Sequence, residues 1–354
     1  MEVLQNLWYC AALSTELTSK PIARVICGVP LVLFRTESGR TAVLEDRCSH
    51  RQAPLSMGVV VGEEIQCVYH GFVFDTAGTC THIPHQDAVP TRACITAYPT
   101  AERWGYVWIW WGDAARADPA RIPDPPWTVE DTRRSVYIYF YVKANFQLMA
   151  DNLLDVSHTD FLHRQSIGSQ TGKKGQANPP RMTIETRTEA DRVHSLRRVY
   201  DTRLGAVAAA WAGTDADEPV DRISTQMWEP PNTTHIRLQF KRGDRMRTIN
   251  MEHIMTPETE RTTHYFMNWT RDFGVHGGYP TDDDVYREQT GIIGGEDIPI
   301  VEAQQRIIDQ YGGTLKDVPA KQDRLVNDVH RLLKKLYAEA RIAGPAEIER
   351  LAAE

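Results

Sequence analysis

The sequence predicts an α+β protein whose N-terminal domain is all β, and three patterns carry this prediction. Short β-branched and aromatic runs alternate with turn residues over about the first third of the chain. A proline-rich segment then interrupts this pattern, and the remainder mixes strand-like alternation with helical spacing. We therefore expect an all-β domain over residues 1–115, a linker over 116–134 and a mixed domain over 135–354.

The strands of the N-terminal domain follow directly from these runs. Turn signals such as Gly28-Val29-Pro30 and Glu37-Ser38-Gly39 separate them. The predicted strands are Ile22–Ile26, Leu31–Phe34, Thr41–Leu44 and Tyr106–Trp111. Two short clusters of cysteine and histidine fall between such runs, which places them on loops that project from a small β scaffold.

The second domain follows a segment that holds Pro119, Pro123, Pro125 and Pro126. It begins with a predicted strand over Ser135–Val142 and a predicted helix over Asn145–His163. Charged and aromatic strands continue to about residue 272, and helical spacing returns from about residue 297. The last elements predicted are a candidate lid loop and a C-terminal packing helix, over Gly168–Pro180 and Gln322–Ala343 respectively.

Composition argues against several classes of protein. The net charge of −7 over 354 residues does not predict the basic face of a nucleic-acid-binding protein. The N-terminal residues do not read as a signal peptide, and no stretch approaches the length of an apolar membrane helix. Six cysteines are too few for a disulfide scaffold, so we expect a reducing, cytoplasmic setting. Four of them are predicted to be buried thiols: Cys10, Cys27, Cys80 and Cys94.

The other two cysteines lie in the clusters Cys48-Ser49-His50-Arg51 and Cys67-Val68-Tyr69-His70-Gly71, each of which pairs one thiolate with one imidazole. Together the clusters supply the ligands of a Rieske [2Fe–2S] cluster, in which thiolates hold one iron and imidazoles the other. Zinc is the alternative, since two cysteines and two histidines also form a closed tetrahedral site. A zinc finger, however, has a cysteine pair followed by a histidine pair. The mixed spacing therefore favours an iron–sulfur cluster held by Cys48, His50, Cys67 and His70.

A second metal-binding pattern lies in the predicted helix of the C-terminal domain. Asn152, Asp155 and His158 are each three residues apart and share one helix face. His163 lies five residues beyond His158, about 140° around an ideal helix. Both imidazoles can reach one metal only if the helix ends or bulges between them. Two histidines and a remote carboxylate make the facial triad of mononuclear non-haem Fe(II) oxygenases, although a capped surface helix explains the same residues.

With these two motifs, the chain resembles the oxygenase component of Rieske non-haem iron oxygenases along essentially its whole length. It is most similar to the vanillate O-demethylase, dicamba monooxygenase and toluenesulfonate methyl-monooxygenase group. The resemblance implies an N-terminal Rieske domain and a C-terminal helix-grip (START/Bet v 1-like) domain, in which a curved antiparallel sheet wraps a long helix. It also implies that His158 and His163 bind iron, and that Asp155 links His158 to His50 or His70 of a neighbouring subunit in a homotrimer.

The resemblance further implies a third iron ligand at the start of a late helix. We predict Asp297, with Glu296 as the alternative, although an ordinary N-cap would also explain an aspartate placed two residues before a proline. Alternation along Ile249–Met255 turns His253 toward apolar neighbours, as expected of a core histidine. The resemblance to the dicamba enzyme instead implies that His253 contacts substrate. Glu288 stands where that enzyme has an aromatic pocket residue.

The predicted function is that of a terminal monooxygenase. It uses O₂ and reductase-supplied electrons to hydroxylate a methyl or methoxy group of a small aromatic substrate, by O-demethylation or methyl hydroxylation. Two alternatives stay open: a cis-dihydroxylating dioxygenase with the same metal sites, and a Rieske electron carrier without mononuclear iron. Because no dinucleotide-binding glycine fingerprint follows a predicted strand, we expect a separate flavin and iron–sulfur reductase that takes electrons from NAD(P)H.

Overall fold

The structure, a computed structural model, describes residues 1–124, 133–168, 181–318 and 320–351, with side chains to residue 340. The chain forms two compact units: Met1–Asp124 with Thr256–Glu260, and Pro125–Met255 with Arg261–Glu354. Residues 125–132 of the predicted linker and residues 169–180 of the candidate lid lie outside the described residues.

The N-terminal unit is built from ten short strands. They are β1 (Leu7–Leu13), β2 (Ile22–Ile26), β3 (Val29–Arg35), β4 (Thr41–Glu45), β5 (Val59–Val61), β6 (Glu64–Gln66), β7 (Val73–Phe74), β8 (Cys80–His82), β9 (Thr100–Arg103) and β10 (Tyr106–Trp111). They form three antiparallel sheets, with the orders β1–β10–β9, β2–β3–β4 and β5–β6–β7–β8. Strands β2 and β10 have the predicted bounds, and β3 and β4 extend one or two residues further.

Three of the four cysteines predicted to be buried thiols are buried, and Cys94 is exposed. Cys94 lies in extended backbone that bridges Thr79, between the buried side chains of Ala93 and Ile95. Successive side chains of an extended segment point to opposite sides, so Cys94 faces away from the core that its neighbours enter. The prediction for Cys94 was wrong for this reason.

The C-terminal unit contains one seven-stranded antiparallel sheet and five α-helices in the described part of the chain. In sheet order the strands are β11 (Arg134–Val142), β17 (Thr262–Arg271), β16 (Arg245–Thr259), β15 (Thr233–Arg242), β14 (Val220–Glu229), β13 (Val193–Thr202) and β12 (Met182–Thr188). The helices are α1 (Phe146–Leu154), α2 (Ala206–Ala212), α3 (Asp282–Gln289), α4 (Ile298–Gln310) and α5 (Arg324–Leu351). Among the described helices, none combines the length and apolar composition that a membrane-spanning helix requires.

Helix α1 packs against the sheet through apolar side chains one turn apart. Met149 and Leu153 of α1 join Ile249 and Met255 of β16 in one buried cluster. Full burial of each such side chain stabilises the fold by about 1.5–3 kcal/mol. A long antiparallel sheet covered by a helix is the predicted helix-grip arrangement, and the predicted α+β fold class is confirmed.

The predicted helix over Asn145–His163 ends early, at Leu154. Asp155 leaves the helical region of backbone space (φ −89°, ψ 88°), and its carboxylate accepts the Ser157 N–H at 2.9 Å. A 3₁₀ helix over Val156–Asp160 then follows. Aspartate favours such capping positions because its short side chain satisfies an amide that the ending helix leaves free. The chain therefore changes direction between Leu154 and His158.

The later helical region begins at Asp282 rather than near residue 297. Thr281 and Asp284 form a capping box at this point, in which the Thr281 hydroxyl oxygen accepts the Asp284 N–H and the Asp284 carboxylate accepts the Thr281 N–H. Helical backbone continues from α3 through a π-helix over Thr290–Asp297 into α4. The glycines of this π-helix weakened the helical pattern in the sequence.

An ion pair joins α5 to α1. His330 Nε2 lies 2.9 Å and 3.0 Å from the two carboxylate oxygens of Asp151. The hydrogen bond to Asp151 raises the pKa of His330 above its usual value against partial burial, and the charges of Asp151 and Asp317 add to this effect. The charge contribution of this pair to the docking of α5 is therefore present only while His330 is protonated.

We expect His330→Gln to lower the melting temperature by about 1–2 °C at pH 6, because a half-exposed pair contributes at most about 1 kcal/mol. The raised folded-state pKa makes this contribution complete below the unfolded pKa of about 6.5 and removes it as the pH rises through the folded value. The difference should therefore shrink in thermal melts as the pH rises through the folded-state pKa of His330. Arg331→Gln, which removes a pair with Asp328 in the same helix, is the control and should show no such pH dependence.

Candidate metal centres

The two cysteine–histidine loops share one backbone pattern. In each loop the cysteine N–H donates to the carbonyl oxygen five residues further on, at 2.8 Å. The cysteine carbonyl accepts the N–H of the fourth residue, at 2.9 Å in the first loop and 3.0 Å in the second. That fourth residue is Gln52 or Gly71, and both have left-handed backbone (φ 60° and 74°). The loops therefore present their cysteine and histidine in the same local geometry.

The four side chains of these loops divide into a buried and an exposed pair. The Cys48 and Cys67 side chains are each 1% exposed, and both belong to an apolar cluster of the N-terminal unit. The rings of His50 and His70 are exposed, with centroids 4.6 Å apart, and Phe72 stacks on His50 at 4.7 Å. A Rieske cluster needs two thiolates on one iron and two imidazoles on the other. The structure supplies thiolates inside and imidazoles at the surface.

The chemistry of the buried pair also fits a metal cluster. Burial raises the pKa of the Cys48 thiol to about 11, and the nearby Cys67 adds to the rise. A thiolate at this position therefore needs a positive partner, and bound iron provides one. The cysteines suit the inner iron of a [2Fe–2S] cluster, and the histidines suit the outer one.

The second site brings together three side chains from two separate segments of the C-terminal unit. His158 Nε2 lies 3.2 Å from His163 Nε2, and Asp297 Oδ1 lies 3.4 Å and 3.1 Å from these two nitrogens. Metal–ligand bonds of about 2.1 Å at right angles place neighbouring ligand atoms about 3.0 Å apart. The triangle of ligand atoms therefore fits one face of an octahedral metal site.

Local backbone geometry explains how these ligands converge. His158 lies in the 3₁₀ helix after α1, and His163 lies in the turns that follow it, so the break at Asp155 removes the wide angle of a regular helix. Asp297 lies where the π-helix ends and α4 begins, and its side chain makes no capping hydrogen bond there. The N-cap interpretation of Asp297 is therefore not supported.

Hydrogen bonds on the far side of each imidazole set its tautomer. His158 Nδ1 lies 2.5 Å from the Asp155 carbonyl oxygen, and His163 Nδ1 lies 2.5 Å from Glu296 Oε2. Both partners accept hydrogen bonds, so each Nδ1 donates and each Nε2 keeps a lone pair for a metal. Asn152 Nδ2 donates to Asp297 Oδ1 at 3.2 Å. Glu296, the alternative third ligand, thus lies on the opposite side of the His163 ring from Asp297 Oδ1.

The charges of the site favour a cation between these ligands. Burial tends to raise the pKa of Asp297, but hydrogen bonds and charge from His158 and His163 outweigh burial and hold it at about 2. Burial likewise tends to lower the pKa of His163, and the carboxylates Asp297 and Glu296 raise it. The site offers one carboxylate and two imidazoles to a divalent metal.

Two residues of β14, which the sequence alone did not single out, hydrogen-bond to the backbone on either side of the segment that carries His158 and His163. Gln226 Nε2 donates to the Leu153 carbonyl at 2.8 Å, and Arg222 Nη1 donates to the Ile167 carbonyl at 3.1 Å. They lie four residues apart on one strand, so their side chains share a face of the sheet. The sequence does not reveal such contacts, because they depend on how the strands of the sheet are aligned with one another and with α1.

The remaining predicted site residue, His253, is buried in β16. Its Nδ1 lies 2.6 Å from the Tyr265 hydroxyl, and its Nε2 has no partner among the described residues. Burial lowers the pKa of His253 to about 3, and the charge of Asp297 opposes this only partly. His253 is therefore a neutral imidazole with one free ring nitrogen.

Comparison with known proteins identifies a family for each of the two segments that carry the candidate centres. The Rieske [2Fe-2S] domain family matches residues 7–95, and the family described as the vanillate O-demethylase oxygenase C-terminal domain matches residues 142–339. The dicamba O-demethylase oxygenase component of Stenotrophomonas maltophilia is 35% identical over 86% of this chain and 89% of its own. A putative toluene-4-sulfonate monooxygenase system iron–sulfur subunit of Comamonas testosteroni is 34% identical over 94% and 97%.

A solved structure agrees with these matches. Dicamba monooxygenase bound to 3,6-dichlorosalicylic acid superposes with a TM-score of 0.87, at 31% identity, over 94% of this chain and 97% of its own. The chain is therefore a Rieske non-haem iron oxygenase component. It belongs to the family defined by the vanillate O-demethylase oxygenase C-terminal domain. The predicted family and the predicted cofactors, a [2Fe–2S] Rieske cluster and mononuclear iron, are confirmed; the individual ligands stay a prediction.

We expect Gly71→Ala to reduce cluster incorporation strongly. A Cβ atom at Gly71 would lie 2.9 Å from Pro84 Cγ, in addition to the strain of its positive φ. Gly62→Ala is the matched control, because its φ is 62° and a Cβ there meets nothing within 4 Å. Acid-labile sulfide per chain checks the prediction, and equal sulfide loss in both variants would show that backbone strain alone is responsible.

Proposed function

We propose that this protein is the terminal oxygenase component of a Rieske monooxygenase that hydroxylates a methyl or methoxy group of a small aromatic substrate. It takes electrons from a separate NAD(P)H-dependent flavin and iron–sulfur reductase and uses O₂ as co-substrate. The observation that carries the proposal is the triangle of His158, His163 and Asp297 in the same chain as the loops of Cys48 and Cys67. An electron carrier needs the loops and has no use for the triangle.

The proposal assigns a set of protein ligands to each metal group. Cys48, His50, Cys67 and His70 would hold the [2Fe–2S] cluster, and His158, His163 and Asp297 would hold the mononuclear iron. When bound, the cluster supplies electrons and the mononuclear iron activates O₂. A metal held by these three residues would keep coordination positions for small molecules, as a two-histidine, one-carboxylate set does.

The protein supplies orientation around these groups. The Asp155 carbonyl and the Glu296 carboxylate fix the two imidazoles, and Asn152 holds the Asp297 carboxylate. Asp155 also presents a half-buried carboxylate one turn before His158. The contact of Asp155 with His158 runs through the Asp155 carbonyl, which leaves the second carboxylate oxygen to a partner outside this turn. We infer that Asp155 thereby links His158 with His50 or His70 of a neighbouring subunit, in a homotrimer in which electrons cross between chains.

His253 is our candidate for substrate contact. Its ring is neutral, and the Tyr265 hydroxyl can donate to Nδ1, which leaves the ring proton on Nε2. A free donor in an apolar setting suits an oxygen atom of the substrate, since a buried donor without a partner costs about 1–3 kcal/mol. If the oxidised methyl is on oxygen or nitrogen, formaldehyde is released; if it is on carbon, a hydroxymethyl group remains.

The proposal is tested by purifying the protein anaerobically and measuring iron, acid-labile sulfide and the EPR spectrum of the reduced form. We expect about three irons and two sulfides per chain, with a Rieske-type signal. Methoxylated and methylated aromatic acids are then screened with a reductase for formaldehyde or hydroxymethyl products. Two irons per chain, unchanged by added Fe(II), would identify an electron carrier, and a cis-diol product would identify a dioxygenase.

We expect Asp155→Asn to keep both metal groups and to slow reoxidation of the reduced cluster by O₂ and substrate about 10- to 100-fold. Asparagine can still cap the Ser157 amide, so the local structure that places His158 is retained while the carboxylate charge is lost. Single-turnover absorption measurements check this rate. A loss of mononuclear iron would instead show that Asp155 acts on the ligand geometry.

The matched control for Asp155→Asn is Asp113→Asn. Asp113 caps a 3₁₀ turn in the same way, through the Ala115 N–H at 3.0 Å, and has no predicted part in electron transfer. Its variant should reoxidise at the rate of the unmodified protein.

A further inference from the structure

One imidazole of the candidate iron site lies between two consecutive carboxylates. Asp297 Oδ1 is 3.1 Å from Nε2 of His163, and Glu296 Oε2 is 2.5 Å from Nδ1 of the same ring. The His163 side chain is 2% exposed, so its ring has little access to water as an alternative partner. Each ring nitrogen therefore lies beside one of two consecutive carboxylates: Glu296 holds Nδ1, while Nε2 and Asp297 Oδ1 face the predicted metal position together.

We propose that Glu296 is a positioning residue that fixes the orientation and tautomer of His163 and thereby sets how strongly the site holds its metal. This inference rests on the proposed iron site. It gives Glu296 a role distinct from that of a ligand: the residue acts through His163 and does not contact the metal.

The contacts of Glu296 extend beyond the ring. The Ser166 hydroxyl donates to the same Oε2 atom at 3.0 Å, and the Ser166 N–H donates to the His163 carbonyl at 3.0 Å. Glu296 therefore ties the turn that carries His163 to the π-helix that carries Asp297. The two parts of the ligand set come from distant parts of the chain, and this carboxylate joins them directly.

The π-helix explains why two consecutive residues, Glu296 and Asp297, can lie on opposite sides of the His163 ring. Residues Thr290–Asp297 form this wider turn, which ends at Asp297. π-type turns are rare and occur often at functional sites, because they re-aim side chains that a regular helix would direct elsewhere. Here the turn directs one carboxylate to each nitrogen of His163.

The two iron histidines are held unequally. His158 donates to a neutral peptide carbonyl, that of Asp155, whereas His163 donates to a charged carboxylate. Hydrogen bonds to an ionised acceptor are roughly twice as strong as neutral ones. Histidine ligands that donate to a carboxylate are better oriented and more basic, and loss of such a partner typically reduces metal affinity about 10- to 100-fold.

The test uses metal binding rather than turnover. The mononuclear metal is removed from the otherwise intact protein, and Co(II) is titrated back anaerobically against a chelator while the visible spectrum of bound Co(II) is recorded. We expect Glu296→Gln to weaken Co(II) binding about 10-fold or more and to change its spectrum. Glu296→Ala should weaken binding further, because it also removes the neutral acceptor.

Controls separate this role from general destabilisation. Glu302→Gln removes a carboxylate of α4 that accepts the Lys143 N–H, away from the ligand set, and should leave Co(II) binding unchanged. The far-UV circular dichroism spectrum and the melting temperature of each variant report that the C-terminal unit, which carries Glu296, is still folded. A Glu296→Gln protein with unaltered Co(II) affinity and spectrum would overturn the inference.

Two further variants identify which hypothesis fails. If the proposed iron site is wrong, His163→Ala will bind Co(II) as well as the unmodified protein does. If only the role of Glu296 is wrong, His163→Ala will lose the metal while Glu296→Gln keeps it. Should Glu296→Gln abolish binding as completely as Asp297→Ala, Glu296 is itself a ligand and the positioning role is refuted.

Discussion

The C-terminal site depends on one geometric constraint: the predicted ligand atoms of His158, His163 and Asp297, which come from two distant segments, must lie little more than about 3 Å apart. Regular α-helices cannot satisfy it, since residues five apart diverge by about 140°. The chain departs from the α-helix twice, at the break after Leu154 and in the π-helix that ends at Asp297. Each departure leaves backbone or side-chain groups that are then used to orient the ligands. The Asp155 carbonyl serves His158, and Glu296 serves His163.

The N-terminal site is subject to a different constraint. A cluster that exchanges electrons must be shielded from solvent on one side and accessible to a redox partner on the other. The thiols of Cys48 and Cys67 lie in an apolar cluster, where charge is costly unless a metal compensates it. The rings of His50 and His70 lie at the surface, where a redox partner can approach them. Two loops with the same hydrogen bonds each place one buried thiol and one exposed ring. The repetition of one short motif therefore produces both the buried pair and the exposed pair.

The sequence revealed the ligand types more reliably than the geometry that unites them. Strands such as β2 and β10 were predictable because β-branched and aromatic runs ended at clear turn residues. The end of α1 was missed because Asp155 caps a new turn within a pattern that continues to look helical. Helix α3 was missed because the residues of its first turn are polar and so show no helical spacing of apolar side chains. Gln226 and Arg222 could not be found at all, since their roles arise from strand register.

Substrate choice is the property for which resemblance gives least support. Glu288 stands where the resemblance puts an aromatic pocket residue of the dicamba enzyme. Both of its carboxylate oxygens accept hydrogen bonds, from Trp211 Nε1 at 2.8 Å and from the Tyr279 hydroxyl at 2.5 Å. A carboxylate held in this way offers a ligand neither an aromatic face nor a hydrogen-bond donor. His253, the predicted substrate contact, differs from Glu288 in this respect, because its ring carries a buried nitrogen without a partner among the described residues. That nitrogen can act as a donor, which a carboxylate cannot.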